Sequence, residues 1–346
     1  MFLALHTVVI AAAPADAGGR VPADVPIAQV FSCYNASVDW DALRDPVNDR
    51  ILHSCISGAT DKELAALKIP DLSDRIDKLQ RGNLIVKKGE RFVLAFPVML
   101  GAVRAELAGR ANKAADRLMP IAEKTLTSLE PLLHGRGEMR YHVLWSVLMD
   151  GPVTWQALKD ELEKKLQKSV SLETNYLVYP EHQRRAGTNS DTAEGVYYRI
   201  TWSPEYPMPN AVEAAISGNA RALVDSAVKR APVVGTEAKD ALRKWGLIDD
   251  RGVSRAFVID GSSADAQKMA EFGAEFAKEA FSAIDPVSAA SALDVTAAQA
   301  LVIEYHEVCY ELLGRLSARG KVEMPKVDKA MPENEYQLVS FVLIPK

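Results

Sequence analysis

The stretch of this 346-residue chain nearest to reactive chemistry is Glu304-Tyr305-His306-Glu307, followed by Cys309. Carboxylate, imidazole and thiol are the groups from which metal centres and acid–base pairs are built. The stretch reads as a helix with Leu301, Tyr305, Val308 and Leu312 inward. Glu304 and His306, two apart on a helix, then point in different directions, and a metal would need further ligands from elsewhere. The spacing therefore favours a half-exposed structural histidine. His142, beside Trp145 in an apolar run, reads as core, and Trp145, Trp155, Trp202 and Trp245 stand at element edges where they would fill a core. The chain carries no phosphate-binding glycine loop, no nucleophile elbow and no pair of cysteines or histidines at metal spacing. A non-enzyme without cofactor or metal is the expectation. Cys33 and Cys55 could bridge in an oxidising compartment, but Cys55 falls on the apolar side of a helix and Cys309 has no third partner. That pattern is typical of buried thiols.

The elements are clearest between residues 49 and 97. DRILHSCISG is a short amphipathic helix with Ile51, Leu52, Cys55 and Ile56 at helical spacing and Gly58 to end it. In TDKELAALKI, Thr60 and Glu63 have the spacing of a capping box. Pro70 closes that helix. Asp71 can cap the next, DLSDRIDKLQRG, whose apolar positions are Leu72, Ile76 and Leu79. Gly82 is placed to leave it in a left-handed turn. Two alternating runs follow, Leu84-Ile85-Val86 and Arg91 to Phe96, with Lys87-Lys88-Gly89-Glu90 as the hairpin tip. Helix, helix, helix, hairpin in about fifty residues resembles the winged helix-turn-helix family, best known from DNA-binding regulators.

In that family the third helix enters the major groove and the wing reaches the backbone or minor groove. The resemblance implies double-stranded DNA as partner. It assigns Ser73, Arg75, Lys78 and Arg81 to the third helix and Lys87, Lys88 and Arg91 to the wing. Residues 71 to 91 hold six basic against four acidic side chains, the acids being Asp71, Asp74, Asp77 and Glu90. Asp71 and Asp74 suit a helix N-terminus, yet carboxylates there repel phosphates.

A looser second copy spans about 140 to 203. Tyr141 to Met149 is an apolar helix, Thr154 starts another, and Leu172 to Tyr179 and Val196 to Trp202 are alternating runs. The polar stretch EHQRRAGTNSDTAEG between them has the composition of a long wing tip, with Arg184 and Arg185 its best basic feature. KDALRKWGLIDDRGVSRAFVID repeats helix, turn and hairpin, and CYELLGRLSARGKVEMP before EYQLVSFVLIP repeats helix then strand. The expected architecture is α+β and helix-rich, with tandem winged-helix-like units joined by long helices. Its parts are an N-terminal segment (1–44), unit 1 (45–98), linking helices (99–135), unit 2 (136–204) and a C-terminal helical region (205–346) with two hairpin-containing halves. The segment 101–133 could also carry a protein partner or a homodimer contact.

Composition bounds these readings. Hydrophobic residues make up 48%, charged residues 25%, and the net charge is −5. A protein that coats nucleic acid would be basic, so DNA binding requires a local patch. The chain holds no apolar run of membrane-spanning length. Phe2 to Ala13 is apolar, and Ala15-Asp16-Ala17 resembles a signal-peptidase site, but no Lys or Arg precedes Arg20. The alternatives are a strand, Leu3 to Ala11, or an unstructured start in a cytoplasmic protein, and export with cleavage after Ala17. Three functions stay open: a DNA-binding transcriptional regulator, a winged-helix scaffold that binds protein and not DNA, and an exported binding protein.

Overall fold

The structure is a computed structural model and describes residues 20–180, 187–202, 210–234, 239–323 and 341–345. The expected strand at Leu3 to Ala11 and the cleavage after Ala17 lie outside the described residues. The chain is α+β and helix-rich, with several small sheets. The described residues divide into two compact units: 20–109 with 172–180 and 291–295, and the remainder.

In the first unit the order is α1 (Ile27–Val30), β1 (Phe31–Tyr34), α2 (Trp40–Arg44), α3 (Pro46–Ile56), β2 (Ala59–Thr60), α4 (Asp61–Ala65), α5 (Leu72–Arg81), β3 (Ile85–Lys88), β4 (Arg91–Leu94) and β5 (Val98–Met99). Helix α3 starts earlier than its apolar spacing suggests. Pro46 stands in its first turn and the Asp45 carboxylate accepts from Val47 N and Asn48 N. Gly58 follows at φ 79°, a left-handed conformation that only glycine takes without strain. The Thr60–Glu63 capping box is complete in both directions.

Two expectations at α5 are corrected. Asp71 sits in the left-handed region at φ 51° and its side chain makes no capping bond. At the other end Gly82 keeps φ −78°, and the left-handed turn falls on Asn83 at φ 53°. An Asn tolerates that conformation, so the turn moves one residue along.

The β3–β4 hairpin runs in register from Ile85↔Leu94 to Lys88↔Arg91. Lys87 and Lys88 therefore belong to strand β3, and only Gly89 and Glu90 form the tip. Strand β2 adds to β4, giving the order β2-β4-β3. Ile51, Leu52, Cys55, Leu64, Ile76, Leu79, Leu84, Ile85, Phe92 and Leu94 close a core over this sheet.

A second sheet of this unit takes β6 (Thr174–Val178), antiparallel to β1 and parallel to β5. This corrects the second winged-helix-like copy. The run Leu172–Tyr179 does not pair with Val196–Trp202. In the second unit β8 (Val196–Trp202) pairs with β7 (Gly187–Ala193), inside the stretch expected to be a loop. Glu194 at φ 51° and Gly195 at φ 70° turn the chain between them. Two consecutive left-handed residues match the twist of a two-residue hairpin. Strand β7 is polar and half exposed, which gave it the composition of a loop.

Helix α6 (Gly101–Leu129) is continuous through Pro120. Leu118, Met119, Ala122, Leu126 and Leu129 along it are buried within the protein. Then come α7 (Arg140–His142), a π-helical stretch Val143–Met149, and α8 (Pro152–Leu166). Farther on are α9 (Asn210–Ser217), α10 (Ala220–Lys229), α11 (Lys239–Lys244), β9 (Phe257–Val258), α12 (Ala264–Ile284), α13 (Pro286–Leu293), α14 (Ala297–Ala318) and β10 (Phe341–Pro345). The turn Asp249–Gly252 is present, closed by the bridge Ile248↔Ser254. The two expected C-terminal halves are not separate, because β10 lies between β8 and β9 in one sheet of order β7-β8-β10-β9.

Candidate nucleic-acid interface

Helix α5 and the β3–β4 hairpin bear seven of the nine basic or hydroxyl side chains that the resemblance assigns to DNA. Arg184 and Arg185 lie outside the described residues.

Arg75 is drawn inward. Its Nη1 donates to Asn48 Oδ1 at 2.7 Å and to Asp45 Oδ2 at 2.8 Å. The Arg75 guanidinium holds the Asp45 carboxyl below its ordinary value of 3.8. Arg75 therefore joins α5 to the start of α3. Ser73 is exposed in the first turn of α5, with exposed Asp71, Asp74 and Asp77 along the same helix.

The other cations lie at the surface. Lys78 stands 3.9 Å from Asp39, beyond hydrogen-bonding range. Arg81 is exposed and its Nε donates to Asp77 O at 3.3 Å. Lys87 reaches Asp61 at 2.9 Å and lies over the Phe92 ring. Lys88 is exposed. Arg91 donates to Gly58 O at 2.7 Å and stands 3.6 Å from Glu63. Glu63 is itself held below its ordinary value of 4.5 by the Thr60 backbone N–H.

Exposed ion pairs of this kind are worth at most about 1 kcal/mol. Lys87 and Arg91 can therefore exchange their carboxylates for phosphates at small cost. Asp39, Asp45, Asn48, Asp61 and Glu63, which set the state of these cations, were not singled out for that role from the sequence. They come from turns and helix starts and meet the cations only through the fold. Asp45, as the residue before Pro46, and Glu63, as the second half of the capping box, carry a local signal.

The reactive-looking groups of the second unit are buried and occupied. Arg110 Nε pairs with Glu304 at 3.0 Å and its Nη2 donates to Ile284 O at 2.8 Å. His306 is buried, not half exposed, with Nδ1 2.8 Å from Val302 O and Nε2 3.9 Å from Asp150. Asp150 also accepts from Trp155 Nε1 at 2.8 Å and Arg199 Nη2 at 3.0 Å. In the first unit, burial pushes the Cys55 thiol up to about 12, away from the thiolate form that reacts. No disulfide joins Cys33 and Cys55. Among the described residues no group of three His, Cys, Asp or Glu side chains could hold a metal ion. No single helix among them is long and apolar enough to cross a membrane.

Comparison of the chain with protein-family models, with curated proteins and with solved structures finds no match.

Proposed function

We propose that the chain is a DNA-binding transcriptional regulator whose first unit acts as a winged helix. The observation that carries this reading is the placing of Lys78 and Arg81 on the last turns of α5, and of Lys87, Lys88 and Arg91 on the following hairpin, all exposed. These are the two elements that a winged helix lays on a duplex. In this reading Lys87, Lys88 and Arg91 neutralise phosphates, Lys78 and Arg81 approach the groove, and Arg75 holds α5 in place.

A second reading, a winged-helix scaffold that binds protein and not DNA, is favoured by the pairing of Lys87 and Arg91 with Asp61 and Glu63 and by exposed Asp71, Asp74 and Asp77. Salt separates the two. Each phosphate neutralised releases counterions, so log affinity for duplex DNA falls with log salt by nearly one unit of slope per contact. Mobility shift on random-sequence duplex, repeated across salt concentrations, is expected to show a steep slope that Lys87→Ala with Lys88→Ala flattens by up to about two. An unchanged slope in the double variant decides for the scaffold.

A further inference from the structure

A hollow of about 420 Å³ opens in the first unit, lined by Ser37, Val38, Asp39, Lys78, Arg81, Gly82 and Asn83. Its volume is within the range of small-molecule sites, but its wall is polar where those sites are mostly apolar. We propose that it binds a phosphate group, with Lys78 and Arg81 as the charged donors and Ser37 Oγ and the Asn83 amide as the neutral ones.

Four features support this chemistry. Lys78 faces Asp39 at 3.9 Å, too far for a hydrogen bond, so its ammonium keeps its donors for a ligand. Arg81 spends only its Nε, on Asp77 O, and the terminal nitrogens of the fork remain. Asp39, the one carboxylate in the wall, is partly engaged: its Oδ1 accepts from Ala42 N at 2.9 Å as the cap of α2, and its Oδ2 is the oxygen that faces Lys78, so it offsets one of the two cations.

The end of α5 would ordinarily present bare carbonyls and repel an anion. Here Gly82 N bonds Lys78 O at 2.9 Å and Asn83 N bonds Gln80 O at 3.0 Å, so those acceptors are satisfied. The wall therefore carries an excess of one positive charge, with hydroxyl and amide donors beside it. Such a set matches a tetrahedral anion with several oxygens better than a flat carboxylate. The phosphate could belong to a small molecule or to a nucleic-acid backbone, and the chemistry of the wall is the same for both.

The test is calorimetric titration of the full chain with inorganic phosphate, at ionic strength held constant with chloride. Fluorescence of Trp40, next to Asp39 in the chain, gives a second readout. Saturable binding is expected, weakened about tenfold in Lys78→Gln and again in Arg81→Gln, as for loss of a charge-assisted bond. Asn83→Gly, which relieves the left-handed backbone while removing the amide, should weaken it less and leave the fold intact. Lys87→Ala with Lys88→Ala should leave phosphate binding unchanged, so failure of the DNA reading is separable from failure of this one. If phosphate displaces a short duplex, the site takes a backbone phosphate; if glycerol phosphate binds without displacing it, the source is a small molecule. Absence of saturable binding, equal binding of acetate, or indifference to both Lys78→Gln and Arg81→Gln would overturn the proposal.

Discussion

Among the cations on α5, Arg75 differs from its neighbours in what removing it does. Lys78 and Arg81 end in solvent, whereas Arg75 crosses to Asp45 and Asn48 at hydrogen-bonding distance. Asn48 is buried and its amide also donates to Ala42 O at 3.0 Å, so one guanidinium steadies α2, α3 and α5 together. Arg75→Ala is expected to destabilise the protein by about 1–2 kcal/mol, measured by urea unfolding. It should not change DNA sequence preference among molecules that remain folded. A base-reading Arg75 would do the reverse, with a shifted preference and little loss of stability. The sequence displays the cation in either case. It conceals the acceptors, because Asp45 and Asn48 lie 30 and 27 residues away.

Among the elements, what could be read beforehand was what depends on neighbours in the chain. The capping box at Thr60, the stop at Gly58 and the apolar positions of α5 stand where spacing placed them, and so does the β3–β4 hairpin apart from its shorter tip, because each is a contact within a few residues. The strand partners were not legible. Strands β6 and β8 have similar alternating sequences, yet they enter different sheets, and nothing local distinguishes them. Strand β7 reads as a loop because polar Thr, Asn, Ser and Asp suit a sheet edge as well as a loop; Glu194-Gly195 is the turn signal available. A further element-scale consequence concerns the junction of the π-helical stretch Val143–Met149 with α8. A Cβ added at Gly151 would collide with the Val147 carbonyl oxygen, which belongs to the backbone and cannot step aside. Gly151→Ala should therefore destabilise by about 1–3 kcal/mol as overpacking, visible as a lowered urea midpoint, whereas Gly109→Ala, with open space around it, should not.

At the scale of the whole molecule, two histidines give stability opposite pH dependences. His142 is buried and held down to about 3, because burial disfavours its charged form. The unfolded chain takes up a proton near pH 6.5 that the folded chain refuses, so this histidine costs stability as pH falls from about 6.5 to about 3, by up to about 1.4 kcal/mol per unit. His53 is raised above its ordinary 6.5 by Asp49, 3.4 Å away. Its contribution is full below pH 6.5 and is lost as pH rises through the raised value. Urea unfolding across pH should show His142→Phe flattening the acid limb and His53→Gln flattening the fall above pH 6.5; an acid limb unaltered by His142→Phe would refute the first assignment. The sheet β7-β8-β10-β9 carries a different consequence, one of timing. Strand β10 is the last of the four in the chain and joins β8 to β9 from between them. As the polypeptide emerges from the ribosome, β8 and β9 exist first, each with an open edge and no bond to the other. The β7–β8 hairpin must wait with one edge exposed through more than a hundred residues of further synthesis, a window in which chaperones or neighbouring nascent chains can reach it.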